Sequence, residues 1–111
     1  MKKIRKNPRH LKFIRTLPCS KCISPPLNQA THVRKYKDGG TGLKPSDMFT
    51  VPLCHNCHHK QHNVGELTFW GDRYDHTGQS RLDMLMNALY EQTGNHGAGV
   101  NSILHFQKGG W

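Results

Sequence analysis

Apolar positions in this sequence fall into short, separated patterns rather than one long run. Leu11, Ile14 and Leu17 recur at helical spacing, with Arg9, Lys12 and Arg15 on other faces. Asn7-Pro8 in front of them supplies a capping side chain and then a proline where its missing N–H costs nothing, so a helix is predicted from Pro8 until Pro18 ends it. Gln29-Ala30-Thr31-His32-Val33-Arg34 is short and partly β-branched and reads as a strand. Met48-Phe49-Thr50-Val51-Pro52-Leu53 reads as a second, and the two would pair as a hairpin around a long loop, with Pro52 at the strand's end. A helix comes next, carrying His58 and His62, and Asn63-Val64-Gly65 closes it. Glu66-Leu67-Thr68-Phe69-Trp70 is short and largely apolar and is expected to pack back on the core. Leu82, Leu85, Met86 and Leu89 form the apolar stripe of another helix over 80–92. Residues 1–7 read as a basic arm, 8–93 as one α+β domain, and 94–111, rich in Gly and Asn and without periodicity, as a flexible tail.

Composition sharpens this. Only 34% of residues are hydrophobic and the mean hydropathy is -0.75, so the apolar core is thin and a domain of this size needs a staple. Four cysteines are available, as Cys19-x2-Cys22 and Cys54-x2-Cys57. Two disulfides are the alternative to zinc. However, the basic N-terminus leads into no apolar run before Pro8, so no signal peptide is expected, and no stretch is long enough to span a bilayer. The expected compartment is the cytoplasm, where paired Cys-x2-Cys motifs hold zinc.

The spacing, with about thirty residues between the pairs, predicts one tetrahedral four-thiolate zinc from Cys19, Cys22, Cys54 and Cys57. Such a site is structural, because four thiolates leave no open position. Nine histidines are present and four of them lie between 55 and 62. Both His55 with His59 and His58 with His62 satisfy His-x3-His. His55 falls inside the knuckle, where the chain curls around zinc, whereas His58 and His62 lie on the helix proper, one turn apart. They are therefore the expected ligands of a second metal. A solvated histidine-rich face, or a histidine replacing a cysteine on zinc, competes with that reading.

Lysine and arginine outnumber acids 16 to 7, a formal charge of +9, which suits a polyanionic partner. Nucleic acid is favoured over an acidic membrane because no amphipathic basic helix stands out. Arg34, Lys35, Lys37 and Lys44 flank a glycine-rich loop at 37–42, and Lys60 sits on the metal helix; all are candidate phosphate contacts. No helix resembles a base-reading element, so low sequence specificity is expected.

The order of these pieces carries a resemblance. Cys19-x2-Cys22, Thr31-His32-Val33-Arg34, Gly39-Gly40-Thr41-Gly42-x-Lys44-Pro45-Ser46-Asp47 and Pro52-Leu53-Cys54-x2-Cys57-His58-x3-His62 are similar to the HNH nucleases of the ββα-metal (His-Me finger) superfamily. Within it they resemble most the phage and prophage group that includes recombination enhancement function (Ref) and YbcO-like proteins. The resemblance spans about residues 8–75. It implies a zinc-stapled ββα-metal core over 19–64 with flanking helices, His32 as general base, and His58 and His62 on a catalytic cation. In this sequence Thr31 stands where many such enzymes have a carboxylate or second histidine. The asparagine that orients the base has two candidate counterparts, Asp47 and Asn56.

The resemblance implies a metal-dependent DNA endonuclease or nickase, acting on double- or single-stranded DNA in phage recombination or processing. It would use one structural Zn²⁺ and one catalytic Mg²⁺, Mn²⁺, Ni²⁺ or Zn²⁺, with no small-molecule cofactor and no membrane partner. If phage-encoded, it would work in the bacterial host cytoplasm. The alternatives are a zinc-stabilised nucleic-acid-binding module without catalysis and, more weakly, a metal-buffering or partner-docking protein.

Overall fold

The structure, a computed structural model, describes residues 6–33, 47–71, 74 and 80–109. Arg34, Lys35, Lys37, Lys44, the glycine loop and residues 1–5 lie outside that set. The elements run α1 (Pro8–Arg15), β1 (Gln29–His32), β2 (Thr50–Leu53), α2 (His55–Val64), α3 (Glu66–Trp70), α4 (Arg81–Glu91) and α5 (His96–Gln107). The class is α+β with a two-stranded sheet.

Helix α1 starts where its cap dictates: the Asn7 side chain accepts from the His10 N–H, with Pro8 in the first turn. Its far end is held by buried Asn28, whose amide donates to the carbonyls of Leu17 (2.9 Å) and Ser24 (3.1 Å). Strands β1 and β2 are antiparallel, pairing Gln29 with Leu53, Ala30 with Pro52, Thr31 with Val51 and His32 with Thr50. Pro52 lies within β2, next to its last residue, close to the end expected for it. In a two-stranded sheet each strand has a free edge, so a residue without an N–H is tolerated. The Pro52 carbonyl instead takes hydrogen bonds from the N–H and hydroxyl of Ser20, both at 2.8 Å, tying the first Cys-x2-Cys knuckle to β2.

All four residues of β2 are buried, and the core continues through Ile14, Leu17, Leu53, Trp70, Leu85, Leu89 and Phe106. Trp70 joins three elements: its indole N–H donates to buried Gln61 of α2 at 2.7 Å, and its ring meets Phe106 of α5 edge-on at 6.0 Å. No helix among the described residues is long and apolar enough to cross a membrane.

The expected flexible tail is corrected. Residues 96–107 form α5, capped by the Asn95 side chain on the Ala98 N–H, with Ile103 and Phe106 fully buried. Gly97 and Gly99 lower its intrinsic helix propensity, which is why the local pattern hid it. Gly99 is there because α5 lies against α1: a Cβ at that position would fall 2.8 Å from a methyl of Leu17 and 2.9 Å from the ring of Phe13. Tertiary packing overrides propensity here.

Candidate metal centres on the hairpin and helix α2

The four cysteines converge from two chain segments. Their Sγ atoms lie within 4.8 Å of one another, and those of Cys22 and Cys54 are 3.6 Å apart. Tetrahedral zinc with Zn–S bonds of about 2.3 Å calls for sulfurs about 3.8 Å apart, so the donor set fits the ion. Backbone geometry fits as well. The Lys21 N–H points at Cys19 Sγ and the Cys57 N–H at Cys54 Sγ, both at 3.4 Å, an arrangement that stabilises thiolates. Cys54 is also the N-cap of α2, so one residue starts the helix and supplies a ligand. The first knuckle is tight enough to hold Ile23 at φ 61, a conformation that β-branched residues seldom adopt. The Ser24 hydroxyl, 2.8 Å from Cys22 Sγ, pulls that thiol down to about 6, whereas burial pushes the Cys57 thiol up. Zinc binding removes such thiol protons outright.

Four histidines line a cleft of about 230 Å³ with Gln29: His55, His58, His59 and His62. His55 is helical, the first residue of α2, and faces the cleft rather than being taken up by the knuckle's curl, which corrects the sequence expectation. At about 100° per residue the four side chains cover roughly one quadrant of the helix. Nε2 of His58 lies 2.9 Å from Nε2 of His62. With metal–nitrogen bonds of about 2.1 Å, two cis ligands of a six-coordinate ion sit about 3 Å apart, so this pair fits a divalent cation. Burial, reinforced by the charges of His62 and His55, holds His58 below the usual imidazole range. On its other side, Nδ1 of His58 donates to the side-chain oxygen of Gln29. Sequence reasoning missed Gln29, and no motif signals it: only hairpin register, which sets it opposite Leu53 just ahead of α2, delivers it to His58.

Thr31 is buried, and its hydroxyl turns back to the Gln29 carbonyl of its own strand at 3.5 Å. Among the described residues no third histidine, cysteine or carboxylate joins His58 and His62 within ligand distance.

His32 is half-buried, with Nε2 at 2.8 Å from Oδ1 of Asp47. Of the two candidate orienting residues, Asp47 reaches it and Asn56, exposed in the first turn of α2, does not. Burial works to raise the Asp47 carboxyl. The Asn7 N–H on Oδ2 at 2.6 Å, the His32 ring and the charges of His32 and His10 outweigh it, holding the carboxyl below its usual range. His32 does not line the histidine cleft: side chains alternate along β1, so His32 and Gln29 point to opposite faces. Lys60 is exposed on α2.

Comparison with known proteins adds membership rather than chemistry. A family profile described as "Protein of unknown function (DUF968)" matches residues 2–93. The chain is 32% identical over 81 residues to the uncharacterized protein YdfU of Escherichia coli (strain K12), covering 73% of this chain and 21% of that protein. It therefore spans about a fifth of the length of the curated relative it matches. No solved structure matches it.

Proposed function

The chain belongs to the DUF968 family of unknown function, and from its geometry we propose a zinc-stapled, metal-dependent DNA endonuclease or nickase of the HNH type. The observation that carries this is the facing pair His58 Nε2 and His62 Nε2, 2.9 Å apart on a helix whose first turn is fixed by Cys54 and Cys57. Rigid support of that kind suits a site that must hold a ligand within a fraction of an ångström.

Cys19, Cys22, Cys54 and Cys57 would hold the structural zinc, and His58 and His62 a second divalent cation. When bound, that cation supplies a Lewis acid for a phosphate oxygen and for the leaving 3′-oxygen. His32 acts as the base. Asp47 engages Nε2, so Nδ1 is the nitrogen that takes the proton from the attacking water. Asp47 keeps the ring in that tautomer and stabilises the imidazolium that forms. Lys60 and the basic residues flanking the glycine loop, Arg34, Lys35, Lys37 and Lys44, bind the phosphate backbone without reading bases. Contacts of that kind give low sequence specificity, in keeping with a role in phage DNA recombination or processing.

One observation favours a second reading, a zinc-stabilised nucleic-acid-binding module without catalysis: His32 faces away from the histidine cleft. Supercoiled plasmid separates the two. Incubated with Mg²⁺, Mn²⁺, Ni²⁺ or Zn²⁺, the nuclease converts it to the nicked form, and His32→Ala does so about 10²–10⁴-fold more slowly. Salt-sensitive DNA binding with equal nicking, or none, in wild type and His32→Ala sinks the nuclease reading and leaves the binding module.

A further inference from the structure

The Gln29 side chain is the one polar group that β1 sends into the histidine cleft among the described residues. It is exposed, so packing in the core does not account for it. Its partner is Nδ1 of His58. An imidazole nitrogen can donate or accept, but a carboxamide oxygen can only accept. With the amide oxygen turned to Nδ1, as here, Nδ1 of His58 carries the proton and Nε2 keeps its lone pair. That lone pair is the one aimed at His62. Without the acceptor, His58 could take the other tautomer, in which Nε2 bears hydrogen and cannot ligate.

We propose that Gln29 is a positioning residue for a divalent-cation site at His58 and His62, fixing the His58 tautomer and ring so that both Nε2 atoms present lone pairs to one ion. The proposal rests on the metal reading of that pair and deepens it. Ligating histidines commonly give their second N–H to such an outer partner, and losing it costs about 10–100-fold in metal affinity. Placement depends on the sheet. Gln29 pairs with Leu53, the residue before the Cys54 cap of α2, so hairpin register sets the distance from Gln29 to His58. A one-residue slip would turn Gln29 to the other face.

The test uses the zinc-loaded protein, with nickel(II) titrated by calorimetry and the imidazole tautomers read by ¹⁵N NMR before nickel is added. Wild type is expected to bind one nickel that His58→Ala does not. Gln29→Leu should bind it about 10–100-fold more weakly, with His58 losing its Nδ1–H signature. Gln29→Glu, which keeps an acceptor at the same reach, should restore both. Thermal stability and zinc content should match wild type in all Gln29 variants, because an exposed side chain contributes little to either. Equal nickel affinity and an unchanged His58 tautomer in wild type and Gln29→Leu would overturn the role of Gln29 alone. A wild type that binds no nickel beyond what His58→Ala binds would overturn the metal reading of the pair, and this role with it.

Discussion

His32 and Asp47 hold each other from the two sides of the hairpin loop, Nε2 to Oδ1 at 2.8 Å, while the other carboxylate oxygen accepts the Asn7 N–H at 2.6 Å. One carboxylate thus joins the candidate base to the start of α1. Under the nuclease reading, Asp47 would couple stability to reactivity.

Asp47→Asn removes a charged acceptor that is nearly buried and bonded on both oxygens. Unfolding free energy should fall by about 1.5–3 kcal/mol, as measured by urea denaturation. Nicking by the folded fraction should fall less than in His32→Ala, because the ring remains and only its orientation is lost. An Asp47→Asn protein as stable as wild type would mean the two contacts contribute nothing net.

The two candidate metal centres should separate by mutation. Zinc near one per chain should persist in His58→Ala and be lost, together with cooperative folding, in Cys54→Ala, since zinc binding at a small domain's core is folding free energy. Atomic absorption and circular dichroism on the same samples read both. Zinc loss in both variants would mean that a histidine belongs to the structural site.

His10 predicts a pH dependence. It is fully buried, its Nδ1 lies 2.7 Å from the Thr93 hydroxyl oxygen, and its Nε2 has no partner among the described residues. Burial, opposed only in part by the charge of Asp47, pushes it from 6.5 down to about 4. The unfolded imidazole takes a proton near 6.5 and the folded one only near 4. Its contribution is therefore fully present above about 6.5 and is lost as pH falls toward 4, about 3 kcal/mol in all. Thiolate protonation weakens the zinc site over the same range. The readout is accordingly the difference between wild type and His10→Leu: between pH 7 and 4.5 the variant should lose less stability.

Gly99→Ala tests α5. In an open helix the change would stabilise by up to about 1 kcal/mol. Here the new methyl meets Leu17 and Phe13 inside 3 Å, and overpacking of a tight core costs about 1–3 kcal/mol. A net loss is expected, read as a lower urea midpoint. An unchanged or higher midpoint would show that α5 sits looser on α1 than these distances imply.

Much of the arrangement is legible in the sequence alone, because local chemistry decides it. Asn7-Pro8 starts α1, the stripe of Leu82, Leu85, Met86 and Leu89 makes α4, and Gly65 closes α2. The four cysteines could be read as one zinc set from spacing alone, and their sulfurs do cluster. Other features depend on what meets what across the fold. Helix α5 contains Gly99, which packing against Leu17 and Phe13 justifies, and its glycine-rich sequence by itself argued for a tail. The choice of Asp47 over Asn56 beside His32 is made by the hairpin's return, and that of Gln29 beside His58 by its register. Spacing along the chain fixes caps, stripes and knuckles, whose partners are a few residues apart; which side chains face each other across the hairpin is set by strand pairing, which only the tertiary structure supplies.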